Sequence, residues 1–333
     1  MRPLLTVEDL SVRFRTEGGV VQAVTGLNFE LRRGRTLAVV GESGSGKSAT
    51  GLALLGLHNR LRTEVTGRVE FDGVDLAALD ERGFSAYRGS RIAMVFQDAL
   101  TALSPYHTVE RQLTDGYRRR TGAGRQQAKA RAVEMLARVG IPDPVRRVEE
   151  YPHEFSGGMR QRVMIAMALM GEPDLVIADE PTTALDVTVQ AQILDLLADL
   201  QAESQLAILL ITHDLGVVSG VAHDVMVMYG GRCVEYGPAA DVLAAPEHPY
   251  TAGLLRSVPT LHGDADAELV PIPGSPPNLL DPPGGCAFHP RCDVRSQVVG
   301  DECETSVPIL EPTLPDPRRY RACHLVPEGR TVS

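Results

Sequence analysis

The octet Gly41-Glu42-Ser43-Gly44-Ser45-Gly46-Lys47-Ser48 constrains this chain more than any other feature. It follows the continuously apolar run Thr36-Leu37-Ala38-Val39-Val40, which reads as a buried strand, and it precedes Ala49–Leu57, which reads as a helix. Strand, glycine loop and helix in that order is the setting in which such a loop wraps phosphate. Successive N–H groups turn inward around the oxygens, and the helix adds the positive end of its dipole. Gly41, Ser43, Gly44, Ser45 and Gly46 are therefore expected to line the cradle, with Lys47 reaching the β- and γ-phosphates and the Ser48 hydroxyl holding Mg²⁺. The expected ligand is a mononucleotide bound by its phosphates.

A second apolar strand, Leu175-Val176-Ile177-Ala178, ends in Asp179-Glu180. Beside a phosphate loop this is the other half of the site: Asp179 is expected to hold Mg²⁺, through water, and Glu180 to polarise the attacking water as general base. Further strands are expected at Leu206–Ile211 and Asp224–Tyr229, with a helix from about Val187 to Glu203 between core strands. Buried strands alternating with helices predict a mostly parallel α/β core. Leu5–Phe14 and Gly26–Leu31 alternate instead, around a turn at Glu17-Gly18-Gly19, and predict exposed-face strands. Residues 99 to about 165 read mainly as helix, most clearly at Gln126–Arg138.

The 333 residues suffice for one large core or two domains, and 43% hydrophobic with 23% charged residues is ordinary for a globular chain. A formal net charge of -10 speaks against a general nucleic-acid binder. The start turns acidic before any apolar segment develops, so no secretory signal is read. The longest apolar stretches, Leu206–Ile211 and Val163–Met170, are far short of the roughly 20 residues of a spanning helix, so the protein is expected to be soluble. Prolines accumulate after Pro238 and periodicity fades. The expected organisation is 1–237 as one nucleotide-binding region and 238–333 as a smaller irregular appendage, with no internal duplication.

Ser156-Gly157-Gly158-Met159-Arg160-Gln161 adds a second anion loop, in which a serine hydroxyl and two glycine amides precede the helix-like Gln161–Met170. This string resembles the signature loop of ATP-binding-cassette proteins, which other phosphate-loop enzymes lack. The resemblance implies a cassette fold with a parallel-sheet core, an antiparallel β subdomain, a helical subdomain at about 99–165 and a small cysteine-containing C-terminal domain. It implies that Ser156, Gly157 and Gly158 cover the γ-phosphate of ATP held by a partner cassette. It also implies that Gln97 is the lid-loop glutamine touching Mg²⁺ and water, that His213 contacts the γ-phosphate and steadies Glu180, and that Ala184-Leu185-Asp186 couples two sites. Phe14 falls where the family places an aromatic on adenine. Two departures are Ala99, where relatives carry proline, and Phe155, where the wider superfamily carries leucine.

The strings from Ala178 to Gln190, Glu235-Tyr236-Gly237, His248-Pro249-Tyr250-Thr251 and Gly285-Cys286-Ala287-Phe288-His289-Pro290-Arg291-Cys292 resemble the ATP-binding subunits of bacterial dipeptide and oligopeptide importers. That implies an ATPase at the cytoplasmic face of the membrane, held there by others: a second, different cassette, two permease subunits and an extracytoplasmic peptide-binding protein. Nickel or sugar import is the alternative cargo within the branch. A soluble cassette ATPase is the alternative outside transport, disfavoured because neither a long coiled-coil insertion nor tandem cassettes is present.

Four of the five cysteines, Cys286, Cys292, Cys303 and Cys323, fall in the last fifth of the chain, spaced C-x₅-C, C-x₁₀-C and C-x₁₉-C. Such a cluster, in a tail with no obvious core, leans toward a metal centre rather than disulfides. Spacing alone leaves Zn²⁺ and an iron–sulfur centre open. The resemblance implies one [4Fe–4S] cluster on the four thiolates, with Zn²⁺ as the alternative.

Overall fold

The computed structural model describes residues 2–183, 185–257, 271–313 and 316–325, and the chain forms two compact units. The first is drawn mainly from Ala78–Ile211, with Arg32–Arg35. Its centre is a parallel set of strands in which Leu175–Asp179 lies between Ile92–Val95 and Ala207–Thr212. Every residue of Leu175–Asp179 is buried, which is why this strand reads as an unbroken apolar run rather than an alternation. The expected helical stretch resolves into Val109–Thr121, Arg125–Arg138 and Gly157–Leu169, which pack on one another. Arg125–Arg138 buries Ala128, Ala132, Met135 and Leu136, one face at helical spacing. The 18-residue helix Val187–Ser204 completes the unit, with Asp186 as its N-cap.

The second unit comprises Pro3–Leu31, Thr36–Ala77 and the chain after Ile211. Leu5–Thr16 and Gly19–Leu31 form an antiparallel hairpin, Leu5 opposite Leu31 and Thr16 opposite Gly19, turning at a glycine with φ of 130°. Thr63–Phe71 pairs with the other edge of Leu5–Thr16. A separate set begins with Thr36–Val40, parallel to Asp224–Tyr229. Arg232–Pro238 continues it antiparallel, followed by the two-residue strands Tyr320–Arg321 and then Glu311–Pro312. Two short helices, Ala239–Ala244 and Pro249–Arg256, lie in the stretch where periodicity fades in the sequence. Neither is long enough for an amphipathic repeat to establish itself.

A core cluster of this unit brings Tyr229, Tyr250 and Phe288 together, ring centroids 4.5 to 5.4 Å apart, with Val225, Val227 and Val242 around them. Among the described residues no helix is long and apolar enough to cross a membrane.

Candidate nucleotide site

The phosphate loop is shaped by positions that accept no side chain. Gly46 caps the helix Lys47–Leu54 with φ of 102°, and a Cβ there would collide with the carbonyl of Ala23. Gly41 has φ of 153°, and a Cβ would strike the carbonyl of Met228. Around Gly44 there is open space, leaving the mouth of the loop clear. Lys47 is buried, and its Nζ donates to the carbonyls of Gly41, at 2.7 Å, and Glu42, at 2.9 Å. The ammonium thus lies against the loop it belongs to. The Ser45 hydroxyl oxygen is buried with no hydrogen-bond partner among the described residues, a polar group of the kind a phosphate oxygen would satisfy. The loop therefore fits the phosphates of ATP.

In the other unit, the strand Leu175–Asp179 delivers a buried Asp179 and then turns sharply. Glu180 takes the left-handed conformation, φ 46°, which a non-glycine residue adopts at a cost of about 1–3 kcal/mol. Its N–H donates to the Ile211 carbonyl at 2.8 Å. Its Oε2 accepts from Gln97 Nε2 at 2.8 Å and from the Thr183 hydroxyl at 3.0 Å. Two donors on one oxygen fix the carboxylate's orientation. Gln97 is thereby brought to Glu180; Thr183 is a participant that the sequence did not single out. Asp98 caps Ala99–Ala102 through the Leu100 N–H at 2.7 Å, and Ala99 is buried, so the position where relatives carry proline is held by a side-chain cap instead.

The loop expected to serve a partner's nucleotide begins at Ser156, whose hydroxyl accepts from the Met159 N–H at 3.3 Å and caps Gly157–Leu169. Ser156 and Gly157 are exposed, and Gly158 packs against Val189. Phe155 is buried beneath the Arg147 guanidinium, 5.6 Å from ring centroid to charge, a cation–π contact that leucine would not offer. Asp186 is exposed and accepts from the Val189 N–H at 3.0 Å; Ala184, the first residue of the expected coupling loop, lies outside the described residues.

Phe14 is half-buried, edge-on to His58 with centroids 5.3 Å apart. His213 is exposed at the end of Ala207–Thr212, just before Asp214 caps the next helix through the Gly216 N–H.

The strings that mark the C-terminal half have a shared physical purpose. The buried Glu235 carboxylate accepts the N–H groups of Glu247, at 2.9 Å, and His248, at 3.0 Å, and pairs with Arg319. His248 Nδ1 then caps Pro249–Arg256 through the Tyr250 N–H at 3.1 Å. Burial lowers the His248 pKa to about 3, with nearby Arg321 adding to the effect, so its ring stays neutral. Burial also pushes the Glu235 carboxyl up.

The expected [4Fe–4S] cluster, and Zn²⁺ as its alternative, are overturned. Among the described residues no group of three or more His, Cys, Asp or Glu is placed to hold a metal ion. Cys286, Cys292, Cys303 and Cys323 do line one small cavity, shared with His248, Phe288 and His289. Burial pushes the thiols of Cys286 and Cys292 up to about 11 and raises those of Cys303 and Cys323, which favours thiols over the thiolates a metal requires. The tail also has the core it seemed to lack. Phe288 is buried against Tyr229 and Tyr250, and Cys286 and Cys292 pack beside them as small apolar groups.

The ABC transporter family pattern matches residues 24–183, and that of the oligopeptide/dipeptide transporter C-terminal region matches 234–298. The oligopeptide transport ATP-binding protein OppD of Haemophilus influenzae is 52% identical over 89% of this chain and 91% of its own length. The dipeptide transport ATP-binding protein DppD of Bacillus subtilis is 50% identical over 90% and 89%. Among solved structures, CbiO1 of Clostridium perfringens, part of the ABC transporter complex CbiONQ, superposes with a TM-score of 0.64 at 29% identity, over 74% of this chain and 93% of its own. The ATP-binding cassette MJ0796, seen as a post-hydrolysis dimer with ADP and phosphate, gives 0.63 at 26% identity, over 71% and 98%. With a cassette fold and the oligopeptide/dipeptide C-terminal region in one chain, this protein belongs to the ATP-hydrolysing subunits of ABC transporters, in the group of the oligopeptide and dipeptide transport proteins.

Proposed function

We propose that this chain is one of two cassettes that drive peptide import, hydrolysing ATP at sites completed across the pair. The carrying observation is the Glu180 carboxylate, oriented by Gln97 and Thr183 at a left-handed turn after a buried strand. Such an oriented carboxylate is suited to take a proton from water. Lys47 and the loop amides bind the phosphates, and His213 stabilises charge on the γ-phosphate. Ser48, Asp179 and Gln97 are the residues that would hold Mg²⁺, which when bound neutralises charge on the phosphate oxygens. Phe14 stacks on adenine.

In this reading residues 1–237 are the cassette and 238–333 the extension. The likeness to OppD and DppD proteins along nine-tenths of the chain supports peptide as cargo, and a different second cassette, two permease subunits and an extracytoplasmic binding protein as partners, with this chain peripheral on the cytoplasmic side. Uptake of labelled di- and oligopeptides by the reconstituted complex tests the cargo. ATP-dependent peptide accumulation is expected; uptake of nickel or a sugar with no peptide transport overturns it.

A further inference from the structure

The C-terminal region reaches the phosphate loop through two side chains, Tyr250 and Arg291. Arg291 stands in the His289-Pro290-Arg291-Cys292 string, and all five of its N–H donors are engaged. Nε donates to the Pro273 carbonyl at 2.7 Å. Nη1 donates to Glu42 Oε2 at 2.6 Å and the Tyr229 hydroxyl at 3.2 Å. Nη2 donates to Glu42 Oε1 at 3.0 Å and the Ile272 carbonyl at 3.4 Å. The Arg291 side chain is 6% exposed.

Glu42 is the second residue of the octet, a position at which the phosphate-loop pattern asks for nothing in particular. Here each of its polar groups is taken. The carboxylate is gripped by Arg291, the N–H donates to the Tyr250 hydroxyl at 2.8 Å, and the carbonyl accepts from Lys47 at 2.9 Å. Two of these three anchors come from the chain beyond Pro238. A two-point guanidinium–carboxylate pair fixes angle as well as distance. It also cancels a negative charge in a loop that has to receive a polyanion. For stability alone, replacing a largely desolvated ion pair by apolar side chains of similar size is often neutral, so stability by itself is a weak reason for this pair.

We propose that Arg291 is a positioning residue for the ATP-binding loop: by pairing with Glu42 it sets the loop's shape and charge, so that the C-terminal region governs ATP affinity within the same chain. This rests on reading Gly41–Ser48 as the ATP site.

The test is the dissociation constant for Mg-ATP, measured on the full-length chain by equilibrium dialysis. Arg291→Ala leaves the loop carboxylate uncompensated and is expected to weaken binding about tenfold, the scale of one partly screened like charge near a polyanion. Arg291→Lys, which keeps the charge but not the fork, is expected to fall between, at about threefold. The decisive variant is the double substitution. If Glu42→Gln is added to Arg291→Ala, affinity should recover toward that of Glu42→Gln alone, because the uncompensated charge is gone. A double variant no better than Arg291→Ala, or an Arg291→Ala chain with wild-type affinity, overturns the proposal. Should Arg291→Ala lose its folded circular dichroism spectrum, Arg291→Lys and Glu42→Gln decide, and wild-type affinity in both overturns it. Lys47→Ala separates this from the underlying reading. Normal ATP binding in that variant removes the ATP site itself, whereas lost binding there with normal binding in Arg291→Ala removes only the role of Arg291.

Discussion

In the proposed function two loops of this protein meet an anion, and they are finished to different degrees. In Gly41–Ser48 the chain supplies nearly everything: glycines hold the turns, Lys47 lies on the carbonyls of Gly41 and Glu42, and Tyr250 and Arg291 pin Glu42. The loop at Ser156 is held by local helix-start bonds, its hydroxyl accepting from the Met159 N–H and its carbonyl from the Arg160 N–H, with its serine and first glycine exposed. A preorganised loop can bind by itself; an open one acts when something else presents the ligand. The first should therefore govern affinity in the single chain, and the second turnover in the pair.

The sharpest way to break that division is Glu180→Gln, which keeps the shape and hydrogen-bonding reach of the side chain but removes the proposed base. Turnover in the assembled pair should fall by roughly 10²–10⁴-fold while ATP still binds. A variant with wild-type ATPase would assign the base elsewhere. Next in size is Ser156→Ala. Loss of one hydroxyl contact to a charged phosphate should lower the turnover of the assembled pair about 10- to 100-fold, and the lost cap should cost about 1 kcal/mol of stability. The wild-type chain alone should hydrolyse slowly, with specific activity rising with protein concentration. Concentration-independent activity in a demonstrated monomer, untouched by Ser156→Ala, would remove the shared-site account.

The smallest effect concerns the anchoring of the finished loop. His248 caps the helix that carries Tyr250, and its pKa is lowered to about 3 in the folded chain, against about 6.5 when unfolded. Because the folded state favours the neutral ring, its contribution to stability is complete above pH 6.5 and is lost as pH falls toward 3. The limiting slope is about 1.4 kcal/mol per pH unit. His248→Asn keeps a cap acceptor without the titration. Denaturant unfolding between pH 6.5 and 5 should show the variant losing about 2 kcal/mol less than the wild type. Equal slopes would mean that His248 is not neutral by burial.

The legible parts of this fold were those where one short segment settles its own structure. Thr36–Val40 and Asp224–Tyr229 have the bounds their apolar runs predict, and the octet lies between a strand and a helix as its consecutive residues require. Thr63–Phe71 was not foreseen, because only its last three residues bury any side chain deeply and it owes its strand form to pairing with Leu5–Thr16. Thr183 looked like an ordinary residue of a long string, and only the left-handed turn at Glu180 brings its hydroxyl onto the carboxylate. Arg291 and Glu42 are 249 positions apart, so no local pattern announces their pairing. The cysteines misled for the opposite reason. Their clustering in sequence was plain, but whether thiols serve as ligands or as small core groups depends on what surrounds them, here Phe288 and the tyrosines.

The two-residue strands Tyr320–Arg321 and Glu311–Pro312 bear on how the edge of their strand set is closed. They extend the set led by Thr36–Val40 outward beyond Arg232–Pro238, so the long, mostly buried strand Arg232–Pro238 does not present a bare row of hydrogen-bonding groups. Among the described residues, what stands outermost is a pair of residues, one of them Pro312, which has no N–H to offer. An edge so short and so poor in donors is a weak template for another chain, and the far end of the sequence thereby serves as protection against sheet-to-sheet aggregation.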